Sequence, residues 1–302
     1  MLKSKLPTIA VCICTYRRNV LLTRLLEKMR AIETNNLFTY SIIITDNDSR
    51  QSAFPLVKRF SKTMPVPVRY EWQPQKNIAL TRNRCIDESE SDYVAFIDDD
   101  EYPEPKWLIR MFLVCRQYSA DAVFGPAKPH FEQKPPRWIV KGKLLERPSY
   151  PTGTIITNTR ATYTGNAFIS RSVFANNERF NPRYGLSGGE DVEFFRRMLA
   201  RGCVLVWCND TPVFESVPPA RMTRKYLLKR ALLRGVVVAR RERYSLKGIA
   251  RSIAAVGIYS VTLPALLLMS HAHFMRILIR FCDHAGKLMA LAGLPPIRVR
   301  NY

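Results

Sequence analysis

The sequence predicts an α/β fold with a mostly parallel sheet, followed by a basic helical region. Short apolar runs rich in β-branched residues alternate with segments of helical spacing through the first half of the chain. The runs are apolar on both faces, which is typical of strands buried on both sides of a sheet. Strand–helix alternation of this kind predicts parallel pairing, with helices covering the sheet.

Each element of the first half follows from its own spacing. Buried strands are expected at Thr8–Cys14, Ser41–Thr45, Val66–Trp72 and Tyr93–Ile97. Helices are expected at 20–32, 54–62 and 77–88, and from the prolines at 103 and 105 to about 118. Ligands bind beyond the carboxyl ends of the strands in such sheets, so the residues that follow each strand are candidate binding residues.

The middle of the chain changes character at residues 129–165, which hold prolines 129, 135, 136, 148 and 151 and lack clear periodicity. We interpret this segment as a long loop over one face of the sheet, where substrate contacts or a lid are usual. Regular structure is expected again at 166–170 (strand), 192–201 (helix) and 204–207 (strand).

The charge is unevenly distributed. The 302 residues carry a net charge of +22, and residues 221–302 hold 16 basic and only 2 acidic side chains. We therefore expect a first domain over 1–220 and a basic appendage over 221–302. Such an appendage points to an anionic partner, either nucleic acid or a membrane surface.

The appendage combines basic helices with an uncharged stretch. Residues 221–243 have the pattern of a basic helix, 252–270 hold no charge, and 274–291 are amphipathic. Nineteen uncharged residues are just long enough to cross ~30 Å of hydrocarbon. Gly257 and Pro264 weaken that interpretation, so an in-plane amphipathic anchor and a buried soluble subdomain stay open.

The strongest chemical signal is Asp98-Asp99-Asp100, directly after a buried strand. Like charges this close repel one another unless a cation lies between them. Carboxylate oxygens suit Mg²⁺ or Mn²⁺ held partly by substrate phosphates. The alternative is a solvated acidic turn.

Three weaker signals follow the other strands or lie on a helix. Thr15-Tyr16-Arg17-Arg18 follows the first strand, Asp46-Asn47-Asp48-Ser49 follows the second, and Arg82-Asn83 lies within a predicted helix. The first loop offers a hydroxyl, an aromatic ring and two cations to a nucleotide. A helix N-terminus, ordinary turn chemistry and a solvated helix face are the respective alternatives.

A further candidate is Gly188-Gly189-Glu190-Asp191, at the start of a predicted helix. The glycines permit close backbone approach, and either acid is a candidate general base. Simple capping of the helix by an acid is the alternative.

In order and spacing these motifs together resemble the family 2 glycosyltransferases, which have the nucleotide-sugar-binding GT-A fold. The matching stretches are TIAVCICTYRR (8–18), IIITDNDS (42–49), IALTRNRCID (78–87), YVAFIDDDEYP (93–103) and GLSGGEDVEFFRRM (185–198). The continuation at 213–235 resembles the bacterial exopolysaccharide transferases related to the succinoglycan β-glucosyltransferases. The resemblance covers about residues 7–245.

The resemblance implies a role for each motif. Donor binding falls to Thr15, Tyr16, Arg18, Asp46, Asp48, Arg82, Asn83, Asp98 and Asp99. Within this set Asp46, at the strand end, is our choice over Asp48 for holding the base. Asp100, together with Asp98, is implied as the ligand of a divalent cation, Mg²⁺ or Mn²⁺.

The resemblance also implies the reaction. Asp191, next to Glu190, is the implied catalytic base, and the implied outcome is a single displacement with inversion. Many GT-A enzymes add a late histidine to the metal site, but this chain has none at 213–219. Glu215, Arg221 and Arg224 are therefore candidate metal or diphosphate contacts.

The resemblance therefore implies a transferase that moves a hexose, with UDP-sugar as the expected donor, to a lipid-linked or polysaccharide acceptor in cell-surface glycan biosynthesis. The expected location is the cytoplasmic face of the cell membrane, with peripheral or C-terminal attachment. Seven cysteines without a CxxC pair fit a reducing compartment.

A nucleic-acid-binding protein and a metal-dependent nucleotidyltransferase are the competing functions. Against the first, exposed aromatic residues are not interleaved with the charges, so no nucleic-acid partner is expected. Against the second, the first-strand loop lacks glycines. A dehydrogenase is disfavoured because no GxGxxG follows a strand. The oligomeric state stays open.

Overall fold

The structure, a computed structural model, describes residues 5–241 and 245–293. The chain divides into two units. The first holds residues up to 128 together with 147–215, and the second holds 129–146 and the described residues from 216 onward. Segment 129–146, expected in the first domain, therefore belongs with the C-terminal region, because its apolar side chains pack there.

The strands are β1 (Thr8–Thr15), β2 (Thr39–Asp46), β3 (Val68–Trp72), β4 (Tyr93–Asp98), β5 (Glu101–Pro103), β6 (Ala122–Phe124), β7 (Ala127–Phe131), β8 (Asn166–Ser170), β9 (Leu205–Trp207) and β10 (Val213–Val217). The α-helices are α1 (Asn19–Met29), α2 (Phe54–Ser61), α3 (Ile78–Asp87), α4 (Trp107–Gln117), α5 (Arg137–Gly142), α6 (Glu190–Ala200), α7 (Arg224–Arg241), α8 (Leu246–Met269) and α9 (His271–Leu291). Short 3₁₀ turns lie at 171–177, 182–184 and 219–222.

The main sheet has the order β3-β2-β1-β4-β8-β6-β9. All neighbouring strands in it run parallel except β8, which is antiparallel to both β4 and β6. The predicted mostly parallel α/β sheet is confirmed. A second, three-stranded sheet has the order β5-β10-β7.

The register of the main sheet brings three strand ends to one edge. Thr15 of β1 lies opposite Asp46 of β2, and Cys14 lies opposite Asp98 of β4. The polar residues that follow these strands are therefore neighbours in space, although they are far apart in sequence.

The core of the first unit forms as the apolar pattern predicts. The β1 residues from Ile9 to Ile13 are fully buried, and α1 buries Leu22, Leu25, Leu26 and Met29, which recur at helical spacing. Helix α3 begins after Asn77, whose side-chain oxygen accepts hydrogen bonds from the backbone N–H groups of Ala79 and Leu80 (3.0 and 3.1 Å).

Two expectations differ from the structure. The helix expected from prolines 103 and 105 begins only at Trp107, because Glu101–Pro103 pairs with β10 as a strand. The segment 129–165 is not uniformly irregular, since it includes α5. Ile139 of α5 is buried against Val217 and Met222. Helix α5 is too short for its apolar residues to form a helical pattern in the sequence.

The second unit is built around α9, which packs against α5, α7 and α8. Glycines let α7 and α9 approach closely. A Cβ at Gly286 would collide with the carbonyl oxygen of Leu232, and one at Gly235 would collide with that of Asp283. The predicted basic helix 221–243 is observed at 224–241, and residues 242–243 lie outside the described part of the chain.

Candidate active site

Asp99 joins the end of β4 to the loop after β1. Its carboxylate accepts hydrogen bonds from Thr15 Oγ1 (2.8 Å) and Arg18 Nη1 (2.9 Å), and the residue is 3% exposed. Burial, together with the nearby Asp100 carboxylate, raises the pKa of Asp99 to about 6, although Arg18 and Thr15 act in the opposite direction. Thr15, Arg18 and Asp99 therefore form one unit of the site.

The other two acids of this turn each lie near an arginine. Asp100 Oδ2 is 3.2 Å from Arg18 Nη1, and Asp98 Oδ1 is 3.8 Å from Arg82 Nη2. Loss of hydration and the Asp100 charge raise the pKa of Asp98, and Arg82 partly offsets this. Asp98 is the most exposed of the three acids, so its carboxylate is the most open to a ligand.

Arg82 connects the acidic turn at Asp98 with Glu190, which lies 92 residues later in the chain. Its guanidinium forms an ion pair with Glu190 at the start of α6, as well as the longer pair with Asp98. Arg82 and Glu190 are 7% and 4% exposed. The second carboxylate oxygen of Glu190, Oε2, is buried and has no hydrogen-bond partner among the described residues. Glu190, predicted as catalytic, is buried against Arg82.

Two glycines shape the approach to α6. Gly188 and Gly189 have φ of +80° and +84°, a backbone conformation that favours glycine. The chain then enters the helix at Glu190, and Asp191 follows as a half-buried residue. One carboxylate oxygen of Asp191, Oδ1, accepts a hydrogen bond from the N–H of Val192 (2.7 Å).

The surroundings of Asp191 favour its protonated form. Burial and the adjacent Glu190 raise the pKa of Asp191, and the charge of Arg82 opposes them. A carboxylate with a raised pKa is a stronger base than an ordinary aspartate.

The two acids at the end of β2 and in the loop after it are turned into the protein. Asp46 is fully buried, and its carboxylate accepts hydrogen bonds from the N–H groups of Asp48 and Ala53 (2.9 and 2.8 Å) and from Tyr70 Oη (3.3 Å). Asp48 is 1% exposed and binds Arg17. Neither carboxylate faces solvent in the structure. Both acids hold the loop in shape.

The exposed part of this region is cationic and aromatic. Arg17 Nη2 lies 3.0 Å from Asp48 Oδ1, and its side chain is 48% exposed. The guanidinium of Arg17 and the ammonium of Lys76 lie 5.1 and 4.8 Å from the centre of the Tyr16 ring. Hydrogen bonding to Arg17 lowers the pKa of Asp48, so this acid stays ionised.

Asn83, predicted to line the donor pocket, bonds to the backbone of Phe180 in the structure. Its Nδ2 donates to the carbonyl oxygen of Phe180 and its Oδ1 accepts from the N–H of Phe180, both at 2.8 Å. The amide thereby fixes the segment that leads toward Gly188. The predicted contacts Arg221 and Arg224 belong to the second unit, whereas the acids of the site belong to the first.

Sequence reasoning missed two residues beside Asp98. Glu101 lies directly opposite Glu215 in the β5–β10 ladder, and Arg147 Nη2 lies 3.1 Å from Glu215 Oε2. Glu101 is 2% exposed, and its Oε1 has no hydrogen-bond partner among the described residues. Burial, then the charges of Asp98 and Glu215, raise the pKa of Glu101, and Arg147 opposes them. The only available signal was Glu101 following the acidic triplet.

The acids at the sheet edge offer part of the ligand set of a divalent cation. Asp98 and Asp100 offer carboxylate oxygens at the sheet edge. Among the described residues, no group of three or more His, Cys, Asp or Glu side chains is arranged to hold a metal. Mg²⁺ is usually bound by one or two carboxylates plus substrate phosphates. The residues therefore fit a cation that a bound diphosphate completes.

Comparison with known proteins identifies the family of the chain. The model of the family described as "Glycosyl transferase family 2" matches residues 10–178. The "Succinoglycan biosynthesis protein ExoM" of Rhizobium meliloti (strain 1021) is 33% identical over 296 residues, which cover 96% of this chain and 94% of that protein.

Solved structures share the fold at low sequence identity. S. aureus TarS 1–349 in complex with UDP-GlcNAc has a TM-score of 0.57 at 12% identity, covering 95% of this chain and 92% of that one. The mannosyltransferase PcManGT from Pyrobaculum calidifontis, in complex with GDP-Man and Mn²⁺, has a TM-score of 0.63 at 14% identity, covering 95% and 88%. In the longer S. aureus TarS structure the chain spans 55% of that protein.

Proposed function

The chain belongs to glycosyl transferase family 2, and from that membership we propose that it is an inverting, metal-dependent hexosyltransferase of surface-glycan synthesis. The expected donor is a UDP-sugar, and the expected acceptor is a hydroxyl of a lipid-linked glycan or polysaccharide. Membership in this family also argues against the two alternative functions, nucleic-acid binding and nucleotidyl transfer.

One observation carries the proposal. Arg82 pairs with Asp98 at the end of β4 and with Glu190 at the start of α6, so the acidic turn and the Glu190–Asp191 pair lie in one site. A transferase needs these two functions side by side. One binds the departing diphosphate, and the other accepts the proton of the attacking hydroxyl.

The donor would be held at the ends of β1, β2 and β4. Tyr16 and the exposed Arg17 offer a ring and a cation to the nucleoside, and Asp48 positions Arg17. Thr15 and Arg18 fix Asp99, which keeps the acidic turn in place. TarS has been solved with UDP-GlcNAc and PcManGT with GDP-Man, which supports a nucleotide sugar as the donor class.

Asp98 and Asp100 would hold a divalent cation together with the diphosphate of the donor. The cation, when bound, stabilises the negative charge that develops on the leaving diphosphate. The presence of Mn²⁺ in PcManGT supports this assignment. In place of the late histidine, Glu215 lies beside Asp98 and is paired with Arg147.

Asp191 would be the catalytic base. Its carboxylate takes the proton of the acceptor hydroxyl while that oxygen attacks the anomeric carbon. The bond from the anomeric carbon to the diphosphate oxygen breaks on the opposite face, and its electron pair leaves with the nucleoside diphosphate. One displacement inverts the anomeric configuration. Glu190 acts through Arg82, as a positioning residue.

The second unit would keep the enzyme at the cytoplasmic face of the membrane, where a lipid-linked acceptor is found. Among the described helices, α8 alone has the length and composition to cross a membrane. The excess of basic residues after residue 220 suits an anionic lipid surface. The relative's printed name, a succinoglycan biosynthesis protein, supports a surface-glycan acceptor.

Replacing the base provides the test. A thermal-shift screen of UDP-, GDP- and dTDP-sugars with Mg²⁺ or Mn²⁺ first identifies the donor, since a ligand raises apparent stability by mass action. Asp191→Asn is then expected to lower transfer by about 10²–10⁴-fold, because a positioned base contributes that much, while the thermal shift with donor persists. Glu193→Gln, on the same helix, is the matched control. Near-normal turnover by Asp191→Asn would contradict the assignment.

A further inference from the structure

We propose that α8 lies in the plane of the membrane interface, with one side inserted among anionic phospholipids, and that it does not cross the bilayer. This inference rests on the proposed membrane location and specifies its geometry. It follows from which side of α8 is exposed and from what α9 packs against.

One side of α8 is uncharged and open. At about 100° per residue, positions 250, 254, 257, 261, 264 and 268 fall on the same side of a helix. All six residues are exposed, and Val261 and Leu268 are 80% and 90% exposed. Ile253 and Ile258 flank this stripe at 58% and 61%. A continuous apolar stripe of this length marks an interaction surface.

The opposite side of α8 is covered by α9. Ser252 is buried, and its Oγ lies 2.9 Å from His284 Nδ1. The Tyr259 ring lies 6.2 Å from the imidazole of His284. Helix α8 is therefore covered on one side and apolar on the other, as in helices that lie in a membrane interface.

The end of α8 is tied back to α5. Only Ser270 separates α8 from α9. The ring of His271, the first residue of α9, lies 5.2 Å from the ring of Trp138. One turn later, Arg276 Nη2 donates to the carbonyl oxygen of Gly142 (2.9 Å). The turn between α8 and α9 is thus fixed against α5.

This attachment excludes a crossing. Helix α5 lies within 129–146, and the chain on both sides of that segment belongs to the first unit. If α8 spanned the bilayer, the turn at its C-terminal end would lie on the far side of the membrane. Helix α5, which is fixed to that turn, would then also have to cross the hydrocarbon, together with the charged side chains of Lys141 and Lys143. Charged residues of α9, among them Arg280, would also lie at membrane depth, which is costly.

Charge and backbone chemistry fit the interface. Lys247 and Arg251, near the start of α8, are exposed and can reach phosphate groups while the stripe inserts. Pro264 lacks the N–H that would pair with the carbonyl of Ser260. Water at the interface can satisfy that carbonyl, whereas hydrocarbon cannot.

Flotation of the full chain tests the inserted stripe. The chain is mixed with phosphatidylcholine vesicles, with and without phosphatidylglycerol. We expect binding that increases with the anionic lipid and weakens about tenfold in Val261→Glu, since burial of one such side chain contributes roughly that factor. Val20→Glu is the matched control, because Val20 is 84% exposed on a helix of the first unit. If both variants lose vesicle binding equally, or if Val261→Glu loses none, the proposal is overturned.

Labelling tests the orientation. His273 is exposed at the start of α9, so His273→Cys reports the position of the turn. With vesicle-bound protein, we expect a membrane-impermeant maleimide added outside to label this thiol above the wild-type background, as it does in solution. Protection that only detergent removes would show a spanning α8 and overturn the proposal.

Donor thermal shift, measured on the same preparations, separates this inference from the proposed function. If the chain binds donor but never floats with vesicles, the in-plane anchor is refuted and the proposal of glycosyl transfer still stands. If the chain floats with vesicles and is labelled as expected but binds no nucleotide sugar, the in-plane anchor is supported and the proposed donor class is refuted.

Discussion

Two glutamates face each other in the β5–β10 ladder, and Arg147 is what makes that arrangement tolerable. Glu101 and Glu215 are directly opposite, where like charges destabilise a sheet. Arg147 pairs with Glu215, and its guanidinium lies 4.4 Å from the centre of the Tyr163 ring. The charges of Arg147 and Glu215 also act on Asp98. A change of charge in the β5–β10 ladder therefore also changes the electrostatics of the donor site.

Arg147→Met is expected to lower stability by about 1–3 kcal/mol, since removing one member of a partly buried charged pair has costs of that order. It is also expected to weaken binding of the nucleoside diphosphate more than binding of the nucleoside, because the acids near Asp98 lose a compensating cation. Denaturant unfolding and calorimetric titration of the two ligands measure these effects.

The double variant Arg147→Met/Glu215→Gln separates repulsion from a general loss of packing. Removal of both charges should recover most of the stability. Arg110→Met, which breaks the exposed pair with Glu104 (3.2 Å), should change stability by under about 0.5 kcal/mol. If the double variant is as unstable as the single one, the electrostatic explanation fails.

At the scale of elements, the second unit depends on two glycines at the crossing of α7 and α9. Gly235 and Gly286 each face a carbonyl oxygen of the other helix at a separation that no side chain permits. Arg234 and Lys287 both bind Asp283 beside this crossing, at 2.7 and 2.8 Å. Burial opposes ionisation of Asp283, but hydrogen bonds from Lys287 and Arg234 prevail and lower its pKa.

Gly286→Ala is expected to destabilise the helical unit by about 1–3 kcal/mol, because the added methyl group forces the two backbones apart. Thermal unfolding followed by far-ultraviolet circular dichroism measures the loss. The matched control is Gly257→Ala on α8, where an added Cβ meets nothing within 4 Å. There, better helix propensity should leave stability unchanged or slightly raised. Equal effects of the two substitutions would argue against the close crossing.

At the scale of the whole molecule, the sequence predicted the regular parts well. The continuous apolar strands, the helical spacing of α1 and the polar strand ends were local patterns, and the sheet, the family and the transferase class are confirmed. The sequence could not predict that the side chains of Asp46, Asn83 and Glu190 bond to groups within the protein. Whether a polar side chain faces a ligand or a backbone partner is decided by residues far along the chain, such as Phe180 for Asn83.

The division into units escaped prediction for the same reason. Helix α5 has only one short apolar face, and its partners Val217 and Met222 lie some eighty residues later. A chain ending after Pro219 should therefore leave α5 uncovered, with lower solubility and stronger binding of a hydrophobic dye than the full chain. Replacing 129–146 by a Gly/Ser linker in the same shortened chain should reverse both effects. A shortened chain that behaves like the full one would show that 129–146 does not need its C-terminal partners.

The packing of α5 against α9 also sets an order of events during synthesis. The ribosome makes α5 about 130 residues before α9. At 5–20 residues per second, α5 waits about 7–26 s for its partner. Throughout that interval the transferase core can close around the sheet, while Trp138 of α5 still lacks its contact with His271 of α9. Helix α9 therefore completes the packing of a helix that was translated well before it.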